Sequence, residues 1–142
     1  MKNLIVRTLT GLIYVLLLAG CTICSPVTAF FFFGIVAAAT LFEFGTVMNN
    51  HAGANMPRAI NSLAGFILVA AVWLFCIGSA NATHMIALWA LLLLYIMVSE
   101  LYRGSQDSIR NWSLSLASQL YVALPFALFL TRLVIMMFFS LP

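Results

Sequence analysis

The chain has 142 residues, 65% of them hydrophobic and only 6% charged, with a net charge of +3. Soluble domains carry about a quarter charged residues to cover their cores, so a mean hydropathy of +1.15 excludes a water-soluble enzyme and excludes disorder with it. Lipid must be the solvent for most of the surface. Three cysteines in apolar surroundings exclude a disulfide scaffold. No basic run or aromatic-interleaved basic patch accompanies the positive charge, so no nucleic-acid partner is expected and anionic headgroups are the natural counter-charge.

A spanning helix needs about 20 mostly apolar residues, because a hydrocarbon core of about 30 Å is crossed at about 1.5 Å per residue. In chain order, stretches at roughly 4–24, 27–48, 62–80, 84–101 and 114–132 meet that requirement. Ser25-Pro26 divides the first two, since proline cannot continue the hydrogen-bond ladder. The segments are continuously apolar rather than alternating, which argues against strands. The predicted fold class is therefore all-α, a polytopic membrane helix bundle of about five transmembrane helices in a single domain over 1–142.

Basic residues set the orientation. Lys2, Arg7, Arg58, Arg103 and Arg110 all fall on one face of this layout, while the turns at Ser25-Pro26 and Ser79 to Thr83 contain no Lys or Arg. The positive-inside bias then puts the N-terminus in the cytoplasm, with cytoplasmic loops over 49–61 and 102–113. The first of these reads as a flexible, polar connector. Within Ser105 to Ala117, Asp107 or Ser108 can cap a helix, and Ile109, Trp112 and Leu116 recur at helical spacing with Trp112 suited to anchor at headgroup level. Two readings stand for this segment, an interfacial helix leading into the fifth span and a loop with a tryptophan anchor. Arg132 falls about 18 residues into the fifth span and can snorkel to the far interface; the apolar tail Leu133 to Phe139 then reads as an interfacial patch or the opening of an incomplete helix.

The candidate sites are few. Leu18-Ala19-Gly20-Cys21 has the form of a lipoprotein signal, but Phe30 to Phe33 and another complete span follow, which favours an uncleaved helix. Cys21 and Cys24 form a C-x-x-C without a second pair, and His51 and His84 fall on opposite faces, so no metal site is predicted. Glu43, flanked by Phe42 and Phe44, and Glu100, at the matching end of the fourth span, are intramembrane carboxylates and hence functional candidates. For Glu43, pairing with Arg7 or Arg58 stands beside simple exposure; for Glu100, snorkelling to the interface is expected. One aspartate, Asp107, and one lysine, Lys2, cannot hold Mg²⁺ and neutralise a transferring phosphoryl group.

Several strings nevertheless resemble one family. Arg7-Thr8-Leu9-Thr10-Gly11, Leu41-Phe42-Glu43-Phe44, Ser99-Glu100-Leu101-Tyr102, and Asn111-Trp112 followed by Gln119-Leu120-Tyr121-Val122-Ala123-Leu124-Pro125-Phe126 look like the N-terminal part of phosphatidate cytidylyltransferase, or CDP-diglyceride synthase, of the Bacteroidetes type. The resemblance covers roughly residues 1–130 and rests on the order and spacing of the strings. It implies a multi-pass inner (plasma) membrane enzyme of phospholipid biosynthesis. Such an enzyme condenses CTP with phosphatidate, with Mg²⁺ as cofactor, to give CDP-diacylglycerol and pyrophosphate. The family's aspartate-bearing signature lies in a C-terminal catalytic half with no counterpart here. No catalytic residue carries over. Arg7, Glu43 and Glu100 match recurring family positions with scaffold or lipid-side roles. The expectation is a fragment or prematurely terminated copy, inactive alone, with homo-oligomerisation left open. The alternatives are a non-catalytic membrane scaffold or assembly protein and, less favoured for want of an internal repeat, a half-transporter.

Overall fold

A computed structural model describes residues 2–104 and 106–139, and for Lys2, Asn3, Arg7, Cys21, Thr22 and Cys24 the backbone alone. Its described residues are mostly helical, joined by short loops and without strands: α1 (Lys2–Cys24), α2 (Pro26–His51), α3 (Arg58–Cys76), α4 (Ala82–Arg103), α5 (Ser108–Ser118), a π-helical turn (Gln119–Ala123) and α6 (Leu124–Phe139). The α5, π and α6 segments form one continuous rod of 32 residues. Among the described residues, α2, α3, α4 and this rod are each long and apolar enough to cross a membrane, and α1 is a fifth apolar helix of 23 residues. The chain is a multi-pass, all-α membrane protein.

Local chemistry sets the breaks. Ser25 adopts an extended backbone and Pro26 begins α2, where its missing N–H would have had no helical partner. Gly78 and Gly104 take left-handed backbones, φ 73 and 59, just past α3 and α4, the conformation that ends helices and that only glycine adopts without strain. Helix α3 starts at Arg58, earlier than the expected 62, because Pro57 stands at its N-cap and Asn61 finds buried partners described below. Helix α5 starts at Ser108, with Asp107 in the N-cap position but making no side-chain cap bond. Of the two readings for this segment, the helix is the one the structure adopts, and it runs straight into the last span. The tail Leu133 to Phe139 is neither patch nor new helix: it extends α6, with Leu133 and Val134 buried.

Successive helices alternate in direction, so the loops after α2 and α4 share one end of the bundle, hereafter the basic end. Helix α3 is central, packed by α2, α4 and α6, whereas α1 rests chiefly on α2. The core joins Ala29, Phe33 and Ala37 of α2 to Val69 of α3 and to Ala127, Leu130 and Val134 of α6. Phe30 stacks on Trp73 at 4.8 Å between ring centroids, and Phe33 meets Phe129 at 5.4 Å. Lipid tails are as apolar as these side chains, so association must come from close packing, which small residues at contacts permit. Gly65 is the tightest case: a methyl group there would overlap Leu41 Cδ1 and lie 3.6 Å from Ala123 Cβ.

The π turn decides what α6 presents. Asn111, Ser115 and Ser118 face inward along α5; continued at 3.6 residues per turn, that face would pass near Val122, Pro125, Phe129 and Arg132. The wider turn inserts one extra residue, and the buried positions become Ala123, Ala127, Leu130 and Val134. Its cause is visible in the sequence: Pro125 has no N–H for the carbonyl of Tyr121 and would clash with it in a regular helix, and a π bulge relieves that conflict.

Candidate functional site at the basic end

Polar side chains that composition alone would assign to the surface lie buried here in a continuous track. Glu100 of α4 is 1% exposed and Asn111 of α5 is 2% exposed. Asn111 Nδ2 donates to Glu100 Oε2 at 3.3 Å, and Arg103 Nη1 donates to Glu100 Oε1 at 3.5 Å. The expectation that Glu100 snorkels to the interface is therefore overturned. Its side chain turns between α4 and α5, where an amide and a guanidinium satisfy both carboxylate oxygens, and these partners offset part of the cost of burying the charge.

The track continues down α5 toward the membrane interior. Ser115 Oγ donates to the carbonyl of Asn111 at 3.1 Å, and Ser118 Oγ donates to that of Ser115 at 2.7 Å. Asn61 of α3 donates from Nδ2 to Ser118 Oγ at 2.8 Å. Gln119, in the π turn, donates from Nε2 to both the backbone carbonyl and the Oδ1 of Asn61, at 2.6 and 2.8 Å. Its own Oε1 is buried without a partner. The sequence reading singles out none of Asn61, Ser115, Ser118 and Gln119 as a site residue, although Gln119 opens one of the resembling strings. The available signal was their polarity inside or beside apolar spans, where an unsatisfied amide costs several kcal/mol.

The loop between α2 and α3 is clasped onto this track rather than flexible. Asn49 brackets Met56 with two bonds, Nδ2 to the Met56 carbonyl at 3.1 Å and Oδ1 from the Met56 N–H at 2.9 Å. Asn111 Oδ1 accepts from the Asn55 N–H at 3.1 Å, Arg103 donates to the Asn55 carbonyl at 3.4 Å, and Arg110 donates to the Ala52 carbonyl. Ala54 and Met56 are buried as a result. The polar composition that suggests a loose connector supplies the bonds that pin it.

The remaining candidates lie apart. Glu43 is exposed on α2, at the edge of an apolar groove with Ile35, Phe42, Ser62 and Phe66. Arg58 does not pair with it; its Nη1 donates to Thr46 Oγ1 at 3.3 Å and its guanidinium lies 5.6 Å from the Phe42 ring centroid. The Arg7 side chain, and with it the alternative pairing, lies outside the described residues, as do the Cys21 and Cys24 thiols. Trp112 is half-buried and packs in a groove with Met97 and Leu101 of α4. His51 sits at the basic end of α2 and His84 near the opposite end of α4. Among the described residues no three His, Cys, Asp or Glu side chains gather as a metal site.

Fold and site together define a class, an all-α multi-pass membrane protein with a buried hydrogen-bonded polar track opening toward its basic end. Compared with family models, curated proteins and solved structures, the chain matches none.

Proposed function

We propose that the chain is the membrane-embedded N-terminal half of a phosphatidate cytidylyltransferase, seated in the inner membrane with its basic end in the cytoplasm. It supplies scaffold and lipid-side surface to the reaction of CTP with phosphatidate. The observation that supports this reading is the convergence of the resembling strings. Glu100 from Ser99-Glu100-Leu101-Tyr102 bonds Asn111 from Asn111-Trp112, and Gln119, which opens the string ending at Phe126, closes the same track on Asn61. Arg103 and Arg110 are about half exposed beside it, at the level where an anionic lipid headgroup would meet them. Among the described residues no three carboxylate, histidine or cysteine side chains gather to hold the Mg²⁺ that the resemblance implies, and in this proposal metal and nucleotide chemistry fall to the catalytic half.

The test is co-expression with an aspartate-bearing catalytic half from this family, followed by assay of membranes for CDP-diacylglycerol from CTP, phosphatidate and Mg²⁺. Product should form with both halves present and not with the purified chain alone. Turnover by the chain alone would refute the division of labour, and no gain from the pair would refute the family reading. A second reading, a non-catalytic assembly protein, is favoured by the way the track's polar groups, Gln119 Oε1 excepted, satisfy one another, as a structural network would. Recovery of a stoichiometric protein partner, with phospholipid composition unchanged when the chain is deleted, would select it.

A further inference from the structure

Charge is divided unequally between the two ends of the bundle. All three carboxylates of the sequence, Glu43, Glu100 and Asp107, lie in the half nearer the basic end with Arg58, Arg103 and Arg110, and the backbone of Lys2 and Arg7 lies there too. Arg132 lies 24 positions beyond Ser108 on one unbroken helix, about 36 Å away at about 1.5 Å per residue. That distance exceeds a hydrocarbon core of about 30 Å and brings the side chain to the headgroup level of the opposite leaflet. Among the described residues its guanidinium has neither an ion-pair nor a hydrogen-bond partner.

Arg132 borders a groove of about 570 Å³ between α1 and α6, walled by Leu18, Ala19, Ile23, Phe129, Leu133 and Met136. A second hollow of about 260 Å³ shares Leu18 and Phe129 with it and continues toward mid-membrane past Tyr14, Phe126 and Pro125. The result is an apolar trough that runs inward past a single cation, with Leu133 and Met136 walling it on the outer side of Arg132. That is the complement of an amphiphile with an anionic head and an extended acyl chain. A second copy of the chain does not suit it, because apposing two such faces in one leaflet would bring two Arg132 side chains together with no carboxylate near either.

We propose that this trough binds one anionic glycerophospholipid of the leaflet opposite the basic end, with its phosphate on Arg132 and an acyl chain lying between α1 and α6. The site is separate from the polar track and does not depend on the function proposed above. The bound lipid fastens α1, which has little other packing, to the central helices.

The chain is purified in mild detergent, exposed to equal amounts of phosphatidylglycerol and phosphatidylcholine, washed, and analysed by native mass spectrometry. The expected result is one retained phosphatidylglycerol per chain, with retention about tenfold weaker in Arg132→Gln and largely kept in Arg132→Lys. Ala19→Phe, which fills the trough and leaves the cation in place, should lose the lipid too, so the proposal does not hang on one variant. Helical circular dichroism of each variant reports whether it has folded. Glycerol 3-phosphate, which has the anionic head without the chains, should not displace the lipid. Undiminished retention in Arg132→Gln, equal retention of phosphatidylcholine, or displacement by glycerol 3-phosphate would each overturn the proposal.

Discussion

An alanine inserted after Tyr121, whose side chain is 87% exposed, adds a residue beyond the one that the π turn already absorbs. Everything beyond the insertion then rotates by about 100° about the helix axis relative to α5. Leu130 and Val134, now 0% and 1% exposed, leave the contact with α2 and α3, and Arg132 swings toward it. In lipid the apolar transfer term is small, so the loss at each vacated site is mainly one of packing, about 2 kcal/mol. An arginine facing apolar neighbours adds about 2.5 kcal/mol or more. Such a total rivals the whole stability of a typical domain, about 5–15 kcal/mol, so the insertion should yield no monodisperse folded protein. Tyr121→Ala, which keeps the count, should stay within about 0.5 kcal/mol of the parent. Denaturation by sodium dodecyl sulfate in mixed micelles, followed by circular dichroism, measures both. An insertion variant within about 1 kcal/mol of the parent would show that the residue count through the bulge does not set the register of α6.

Gly65→Ala should destabilise by about 1–3 kcal/mol through overlap with Leu41 Cδ1, and Leu41→Ala should recover at least about 1 kcal/mol of that in the double variant; strict additivity in the same unfolding assay would contradict this contact. Glu100→Ala should cost about 1–2 kcal/mol, because it leaves Asn111 Nδ2 buried without its acceptor. Arg103→Gln, at a side chain 54% exposed, should cost less than about 1 kcal/mol, and the reverse ranking would argue that the guanidinium, not the amide, holds Glu100. Orientation is checked by cysteine accessibility: Asn81→Cys should react with an impermeant thiol reagent in intact cells and Asn50→Cys only after permeabilisation, the opposite pattern inverting the topology.

The spans were legible because length and continuous hydrophobicity dictate them, but their ends were not. Helix α3 begins four residues before its apolar stretch, since Asn61 can enter a helix once Ser118 and Gln119 offer it bonds, and those residues are 57 and 58 positions away. Glu100 illustrates the same limit. Beside Tyr102 and Arg103 it reads as an interfacial acid; only the arrival of Asn111 from the next helix makes burial tolerable. The re-phasing of α6 did leave a trace, since Pro125 lies inside an apolar run and the inward positions shift by one residue around it, but a single span gives no independent mark of which face is inner.

Helix α4 shows why a buried acid belongs in such a bundle. Its buried residues are Ala82, Ile96 and Glu100, and large apolar side chains such as Leu91, Leu94 and Val98 remain outside. Hydrophobicity cannot fix its rotation or height, because any face of this helix is equally content in lipid. A carboxylate that must find donors can. Glu100 is satisfied only when α4 presents it to Asn111 while Arg103 reaches the Asn55 carbonyl, and that condition selects one register of α4 against α5 and the α2–α3 loop. The buried carboxylate thus contributes specificity more than stability: with Glu100 lost, α4 should remain helical and membrane-embedded while its position against α5 becomes indeterminate.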